Sequence, residues 1–199
     1  MKIVRFKTQT NETLNGVLIG NDAVQRINGN IFGEFTLSKD YHNIKDVMLL
    51  PPIEPPNIIA IGLNYKKHLT EYGSEKLPSA PVFFLKATSS LAGPGDSIIL
   101  PTLAPDEVDY EIELVIVMGK KAKYIDRNDA AKYILGYTCG IDVTARDCQR
   151  RIDTQWARAK SFDTFCPIGP CIETDLDPDN CNLRLSLNGK IMQDSNTSN

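Results

Sequence analysis

Histidine is scarce in this chain of 199 residues: His42 and His68 are the only two. A histidine-rich metal centre is therefore excluded, and any bound metal must use oxygen ligands. The five cysteines show no C-x-x-C spacing, which argues against a structural zinc site, and their odd number argues against a disulfide scaffold. Ordinary reduced thiols are the simplest interpretation of these cysteines.

The chain also lacks a strong charge excess and any long apolar run. Its 22 basic and 25 acidic residues give a formal net charge of -3, unlike the basic footprint of a nucleic-acid-binding protein. No stretch approaches the roughly 20 apolar residues that span a bilayer, and the start has no apolar segment of signal-peptide length. We expect a soluble, cytoplasmic protein with no nucleic-acid or membrane partner.

Proline marks the organisation of the chain. Residues 1–50 contain short apolar runs separated by polar turns, a pattern typical of small strands and hairpins. Four prolines then stand between positions 51 and 56, where no regular element can continue. We therefore predict a small N-terminal β domain over residues 1–55 and a larger domain over residues 56–199.

The second part of the chain alternates apolar strands with short helical patterns. NIIAIG, PVFFLK, SIILP and VDYEIELVIVMGK read as strands, and LRLSLNGK reads as a strand that enters an Asn-Gly turn. NYKKHLTEYG and RNDAAKYILG read as helices that end at Gly73 and Gly136, and TARDCQRRIDTQWARAK as partly helical. These patterns predict a mixed, β-rich α+β fold with short helices.

The VDYEIELVIVMGK strand carries the first chemical signal. Because side chains alternate along a strand, Asp109, Glu111 and Glu113 share one face, and the opposite, apolar face is predicted to lie on the core. Glu111 and Glu113 would stand about 7 Å apart. A divalent cation would relieve the repulsion of such carboxylates, with magnesium, manganese or calcium preferred over zinc. Alternatively, the acids lie on an exposed edge and are simply solvated.

Two further groups offer chemistry of their own. Asp142, in GYTCGIDVTARD, is either a turn residue or a third carboxylate for the same cluster. His68 and Glu71 are three residues apart in the predicted helix, so they share one face and can hydrogen-bond. A carboxylate on one ring nitrogen makes the other a better base. A surface ion pair without function is the alternative.

Together and in order, these segments resemble the fumarylacetoacetate hydrolase family. The series is GLNYKKH with Glu71, FLKATSS, VDYEIELVIVMGK, GIDVTARD, WARAKSFDTFCPIGP and LNGKIMQDSNTS. It runs from about residue 57 to residue 199. The resemblance implies a β-sandwich or roll with short helices, a homodimer, and a keto acid as the small-molecule substrate. It also implies a magnesium cofactor, or manganese or calcium in its place.

The resemblance assigns a role to each matching residue. Glu111, Glu113 and Asp142 would be the metal ligands, and His68 with Glu71 would form the base dyad. Lys160 would reach the substrate oxygens as a catalytic residue. The residues that would bind the substrate are Arg146, Tyr65 and Gln149. Lys86 fits either a place in the site or a structural role.

The reaction class implied is cleavage, decarboxylation or isomerisation of a small keto or diketo acid through a metal-stabilised enolate. Leu63 stands where many acylpyruvate-cleaving members carry arginine, and leucine is frequent among relatives named as isomerases or decarboxylases. The family also continues beyond QDSNTS into strands and a Gly-Thr-Pro loop, so we expect the catalytic domain to be incomplete at its C-terminus. The alternative is a catalytically impaired remnant that acts as a binding or structural subunit.

Overall fold

The computed structural model describes residues 1–65 and 78–198 and is β-rich with short helices, as predicted. The strands of the first part are β1 (Lys2–Lys7), β2 (Thr13–Ile19), β3 (Ala23–Gly29), β4 (Phe35–Asn43) and β5 (Met48–Leu50). The strands that follow are β6 (Ile58–Gly62), β7 (Val82–Lys86), β8 (Leu91–Ala92), β9 (Val108–Asp109), β10 (Ile112–Met118), β11 (Ile134–Ile141), β12 (Thr144–Ala145), β13 (Cys166–Glu173), β14 (Asn182–Leu187) and β15 (Lys190–Asn196).

One nine-stranded sheet joins the two parts of the chain. Its order is β10-β11-β13-β1-β2-β3-β4, with β5 beside β1 and β8 beside β13. The junction is the antiparallel pairing of β1 with β13, where Ile3 lies opposite Ile172. Among the described residues, three two-stranded sheets, β6–β7, β9–β12 and β14–β15, stand outside it. The strand predicted for SIILP is wrong, because residues 97–101 form no strand. The division of the chain at residues 55 and 56 stays a prediction.

The core follows from the alternation of apolar side chains along the strands. In β1, Ile3 packs into a cluster with Val117 and Ile172, whereas Val4 and Phe6 pack on the opposite face. A third cluster consists of small side chains and one phenyl ring and lies where the later loops meet. Its buried members are Ala104, Val143, Ala145, Cys148, Ala159 and Phe165.

The helices are short, and the structure corrects one of them. Residues Arg127–Tyr133 form a 3-10 helix that ends before Gly136, because Ile134 and Gly136 already belong to β11 and pair with Met118 and Val117. The predicted helix to Gly136 is therefore wrong. The partly helical prediction is confirmed by a π-helical turn at Cys148–Ile152 and an α-helix at Trp156–Ala159.

The other short helices are 3-10 turns at Ile44–Asp46, Thr88–Ser90 and Pro178–Asn180. In the two described stretches of chain, no helix has the length and apolarity needed to cross a bilayer. The helix predicted to end at Gly73 lies largely outside the described residues.

Two details of the strands test the sequence patterns. The Asn-Gly turn is confirmed: Asn188 and Gly189 both have positive φ, 52° and 76°, as a tight hairpin between β14 and β15 requires. The prediction that the face opposite the acids lies on the core is wrong for the end of β10. Val117 is buried, whereas Ile116 and Met118, which were expected on the core, are 53% and 48% exposed.

Gly136 allows β11 and β13 to approach closely, and this generates a stability prediction. A Cβ atom at Gly136 would stand 2.5 Å from the backbone oxygen of Glu173, which cannot move without disturbing the ladder. We expect Gly136→Ala to lower the free energy of unfolding by about 1–3 kcal/mol, measured by urea denaturation. Gly33→Ala is the control, because its nearest atom lies 4.0 Å away. Equal stability of the two variants would contradict this account.

Candidate active site

Antiparallel pairing of β10 with β11 brings the three predicted acidic ligands together. The Asp142 amide donates to the Glu111 carbonyl oxygen at 2.8 Å, so these two residues face each other across the ladder. Glu113 lies opposite Gly140, one step along the same face. The structure therefore places Glu111, Glu113 and Asp142 in one cluster, which we call the carboxylate cluster.

Two buried lysines neutralise part of the carboxylate cluster. The Lys160 ammonium donates to Glu111 Oε2 at 2.7 Å and to Asp142 Oδ2 at 2.6 Å. Lys86 Nζ, at the end of β7, donates to Asp142 Oδ1 at 2.6 Å. Both lysine side chains are only 3% exposed, so these ion pairs are shielded from solvent and each charge needs its partner.

Arg146 holds the other side of the carboxylate cluster. Its guanidinium donates to Glu111 Oε1 at 2.6 Å, to Asp109 Oδ2 at 2.7 Å and to Gln149 Oε1 at 2.7 Å. The predicted residues Arg146 and Gln149 thus lie at the site. Arg146 is engaged with protein groups on each of its three nitrogens.

The third buried cluster fixes these charged side chains through their neighbours in sequence. Val143 follows Asp142, Ala145 precedes Arg146, and Ala159 precedes Lys160, and all three neighbours are buried in that cluster. Packing of small apolar side chains therefore sets the directions of the polar ones.

The charges around the carboxylate cluster shift the pKa values of Glu111 and Glu113 in opposite directions. Burial acts to raise the pKa of Glu111, but Lys160 and Arg146 together lower it to about 2. For Glu113, burial and then the charges of Asp142 and Glu111 raise the pKa to about 8. Among residues 1–65 and 78–198, no group hydrogen-bonds or ion-pairs with the Glu113 side chain. Within that part of the chain, Glu113 is therefore the carboxylate of the cluster that lacks a positive partner.

Charge and donor type both fit a divalent cation at the carboxylate cluster. Glu111, Glu113 and Asp142 offer carboxylate oxygens, the ligands that magnesium, manganese and calcium prefer. As the side chains stand, with Lys160 between Glu111 and Asp142, no three acidic, histidine or cysteine side chains in the described stretches converge into a ready ligand group. A cation would add the positive charge that Glu113 lacks.

Aromatic side chains form a wall beside Lys160. Phe84 of β7 meets Trp156 edge-on, with ring centroids 5.8 Å apart, and the Lys160 ammonium lies 5.1 Å from the Phe84 centroid. Gly62 of β6 leaves room for the indole, because a Cβ there would stand 2.6 Å from Trp156 Cζ3. The site is thus polar on the β10–β11 side and apolar on the β6–β7 side.

Tyr65 lies beside Glu113, close enough for the carboxylate to affect the phenol. Burial and the charge of Glu113 raise the pKa of Tyr65 to about 12, so the phenol keeps its proton at neutral pH. His68 and Glu71, the predicted base dyad, lie outside the described residues. Their roles stay a prediction.

Two site residues were not assigned from the sequence. Lys86 was left open between a site role and a structural role, and nothing local in FLKATSS distinguishes the two. Asp109 was noted on the acidic face but given no role, although it binds Arg146. The alternation Asp109, Glu111, Glu113 was the signal that could have found it.

The raised pKa of Glu113 predicts how the stability of the metal-free protein depends on pH. The folded state keeps a proton that the unfolded chain releases, so stability is lost as pH rises from 4.5 through about 8. Glu113→Gln imitates the protonated form. Its stability advantage over wild type should grow from near zero at pH 4.5 to a few kcal/mol above pH 8, because each tenfold difference in proton affinity is worth about 1.4 kcal/mol.

Urea denaturation across that pH range measures this difference. Glu34→Gln, at an exposed position, is the matched control and should give no growing advantage. A Glu113→Gln advantage that stays constant with pH would contradict the assigned environment.

Comparison with known proteins shows which family this chain belongs to. Residues 57–199 match the fumarylacetoacetate (FAA) hydrolase C-terminal domain, and residues 1–52 match the Rv2993c-like N-terminal domain. The mitochondrial oxaloacetate tautomerase Fahd2a of Rattus norvegicus is 45% identical over 152 residues. The aligned part covers 75% of this chain but 48% of the relative, so the chain spans about half of that protein's length.

Solved structures of related proteins share the fold of this chain. The crystal structure of 5-carboxymethyl-2-hydroxymuconate delta-isomerase from Mycobacterium smegmatis superposes with a TM-score of 0.90 at 40% identity, covering 100% of this chain and 76% of the other. Maleylpyruvate hydrolase from Sphingobium sp. SYK-6, solved with manganese (II) ion and pyruvate, superposes with a TM-score of 0.77 at 28% identity, covering 100% and 77%. The chain belongs to the fumarylacetoacetate hydrolase family.

Proposed function

We propose that this chain is a divalent-metal-dependent enzyme that carries a small keto acid through its enol or enolate form. The observation that supports it most directly is the buried carboxylate cluster, in which Glu113 lacks a positive partner among the described residues while two lysines and an arginine serve the other acids. A half-buried acid without a positive partner lowers stability, so a site that only stabilised the fold would have no need for it.

The named relatives support this class of substrate. One is a tautomerase of oxaloacetate, one is an isomerase of a hydroxymuconate, and one is a maleylpyruvate hydrolase solved in complex with manganese (II) ion and pyruvate. All three involve acids that carry a keto or enol group next to a carboxylate. Keto–enol interconversion is the step these reactions share, so we place it at the centre of the proposal.

Glu111, Glu113 and Asp142 would hold the cation, which we propose to be magnesium, manganese or calcium. When bound, such an ion supplies Lewis-acid polarisation of keto-acid oxygens. The residues around it then have separate tasks. Asp142 and Glu111 already pair with the lysines and Arg146. A bound ion would therefore supply the positive partner of Glu113.

Lys160 is placed to act on the substrate itself. Its ammonium has three N–H donors, of which two serve Glu111 and Asp142. A remaining donor can bind an oxygen on which negative charge develops as the enolate forms. The aromatic wall of Phe84 and Trp156 keeps water from that side of the ammonium, which strengthens the interaction.

Arg146 and Tyr65 have narrower tasks in this proposal. The guanidinium holds Asp109, Glu111 and Gln149 together, and it would reach a substrate carboxylate by exchanging one of these bonds. Tyr65, protonated beside Glu113, can donate a hydrogen bond to a substrate oxygen. His68 with Glu71 would move the proton at the substrate carbon or at a water molecule.

The proposal predicts metal-dependent turnover that Glu113 controls. Manganese-loaded protein should accelerate the keto–enol interconversion of oxaloacetate, followed by the absorbance of the enol, and EDTA should abolish the effect. Glu113→Gln should lower the rate about 100-fold or more, since loss of even an outer-sphere partner of a metal costs about 10–100-fold. Asp106→Asn, which removes an exposed carboxylate, should keep the wild-type rate.

If oxaloacetate is not turned over, acylpyruvate cleavage is assayed with the same variants. A rate that survives both EDTA and Glu113→Gln would contradict metal-dependent catalysis at the carboxylate cluster. Calorimetric titration with manganese separates loss of binding from loss of chemistry.

A further inference from the structure

Gln193 lies in the KIMQDSN strand, which the proposed chemistry does not use. It belongs to β15, where it faces Leu185 of β14, and the β14–β15 hairpin forms a sheet of its own. Its side-chain oxygen nevertheless leaves the hairpin and accepts a hydrogen bond from the Ile112 backbone amide at 2.8 Å. The two residues are 81 positions apart in sequence.

The Ile112 amide needs such a partner because of its place in the ladder. The Asp142 amide donates to the Glu111 carbonyl just beyond the ends of β10 and β11, so the backbone polar groups of alternate residues, Glu113 among them, face β11. The amide of Ile112 then points the other way, to the open edge of β10, which is the last strand of its sheet. A backbone donor that is half-buried there is costly if it stays unpaired.

Ile112 is also the residue between Glu111 and Glu113. Its two peptide groups set the directions in which both carboxylates leave the strand, so a rotation at Ile112 would separate them. The next amide that faces the open edge belongs to Leu114, and Tyr65 lies close to it. Among the described side chains, Gln193 is therefore the one that hydrogen-bonds to this edge beside Glu113.

We propose that Gln193 is a positioning residue that keeps Glu111 and Glu113 aligned to share one divalent cation. The inference rests on the proposed metal site. It differs from a simple docking role for the hairpin, because docking would stabilise the fold without changing the affinity for metal.

Three variants of the full chain separate these roles. Gln193→Met keeps the length of the side chain and removes the amide oxygen, and Gln193→Glu keeps an acceptor oxygen. Asp194→Ala is the matched control: it breaks the Arg184–Asp194 ion pair within the same hairpin and does not touch β10. Manganese affinity is measured by calorimetry, the Ile112 amide by hydrogen exchange, and metal-free stability by urea denaturation.

Gln193→Met should weaken manganese binding about tenfold or more, the effect typical of partners that orient metal ligands, and should speed exchange at Ile112. Gln193→Glu should restore slow exchange at Ile112 and keep manganese affinity at or above that of wild type. Asp194→Ala should lower stability and leave both the manganese affinity and the Ile112 exchange unchanged.

Wild-type manganese affinity in Gln193→Met would overturn the positioning role while leaving the proposed function intact. Equal loss of affinity in Asp194→Ala would overturn it as well, because hairpin stability alone would then explain the effect. If the wild-type protein bound no manganese, the proposed function would fail first, and the inference with it.

Discussion

Three carboxylates lie side by side where β10 meets β11, and their mutual repulsion is the constraint to which the surrounding structure responds. The pairing itself is set by backbone geometry: the Asp142 amide binds the Glu111 carbonyl, and the register places Glu113 on the same face. With Asp109, the described acids of this region are four, against three cations, Lys86, Lys160 and Arg146. The excess acid is Glu113, which has no positive partner among the described residues, and the charges around it raise its pKa to about 8.

The elements that carry the cations come from distant parts of the sequence. Lys86 ends β7, Lys160 follows the Trp156–Ala159 helix, and Arg146 follows β12. Each cation reaches the carboxylate cluster because buried neighbours fix the position of its backbone. Buried Ala145 does this for Arg146, and buried Ala159 does it for Lys160. Breaking a buried pair of this kind leaves a charge without compensation, which is far more destabilising than losing a surface pair. The same packing that stabilises the fold therefore preorganises the site.

Local patterns in the sequence predicted the parts of this site that depend on a single element. Period-two alternation placed Glu111 and Glu113 on one face, and the Asn-Gly pair fixed the β14–β15 hairpin. For Asp142 the sequence alone left a turn residue and a third carboxylate as alternatives, and only the family resemblance favoured the second, because no local signal links Asp142 to β10. Lys86 and Asp142 are 56 positions apart in sequence, and Gln193 and Ile112 are 81 apart. The residues around each partner give no sign of such distant contacts.

Two of the predictions that the structure corrects, the helix to Gly136 and the covered face of β10, failed for physical reasons. RNDAAKYILG has the alanines and the period of a helix, but Ile134 pairs with Met118 and draws the end of that segment into the sheet. Tertiary pairing overrode local propensity there. On β10, the apolar face opposite the acids was predicted to lie on the core, but Val117 on the face of the acids is the buried residue at the end of the strand. Both faces carry apolar residues there, so alternation alone does not show which of them is covered.

Anomalous diffraction at the manganese absorption edge, from crystals of the protein grown with Mn²⁺, tests the central claim most directly. The account predicts one strong peak bound by oxygens of Glu111, Glu113 and Asp142, at about 2.0–2.6 Å, the range of magnesium and calcium ligands. A peak elsewhere, with Lys160 still between Glu111 and Asp142 and no ion beside Glu113, would contradict it.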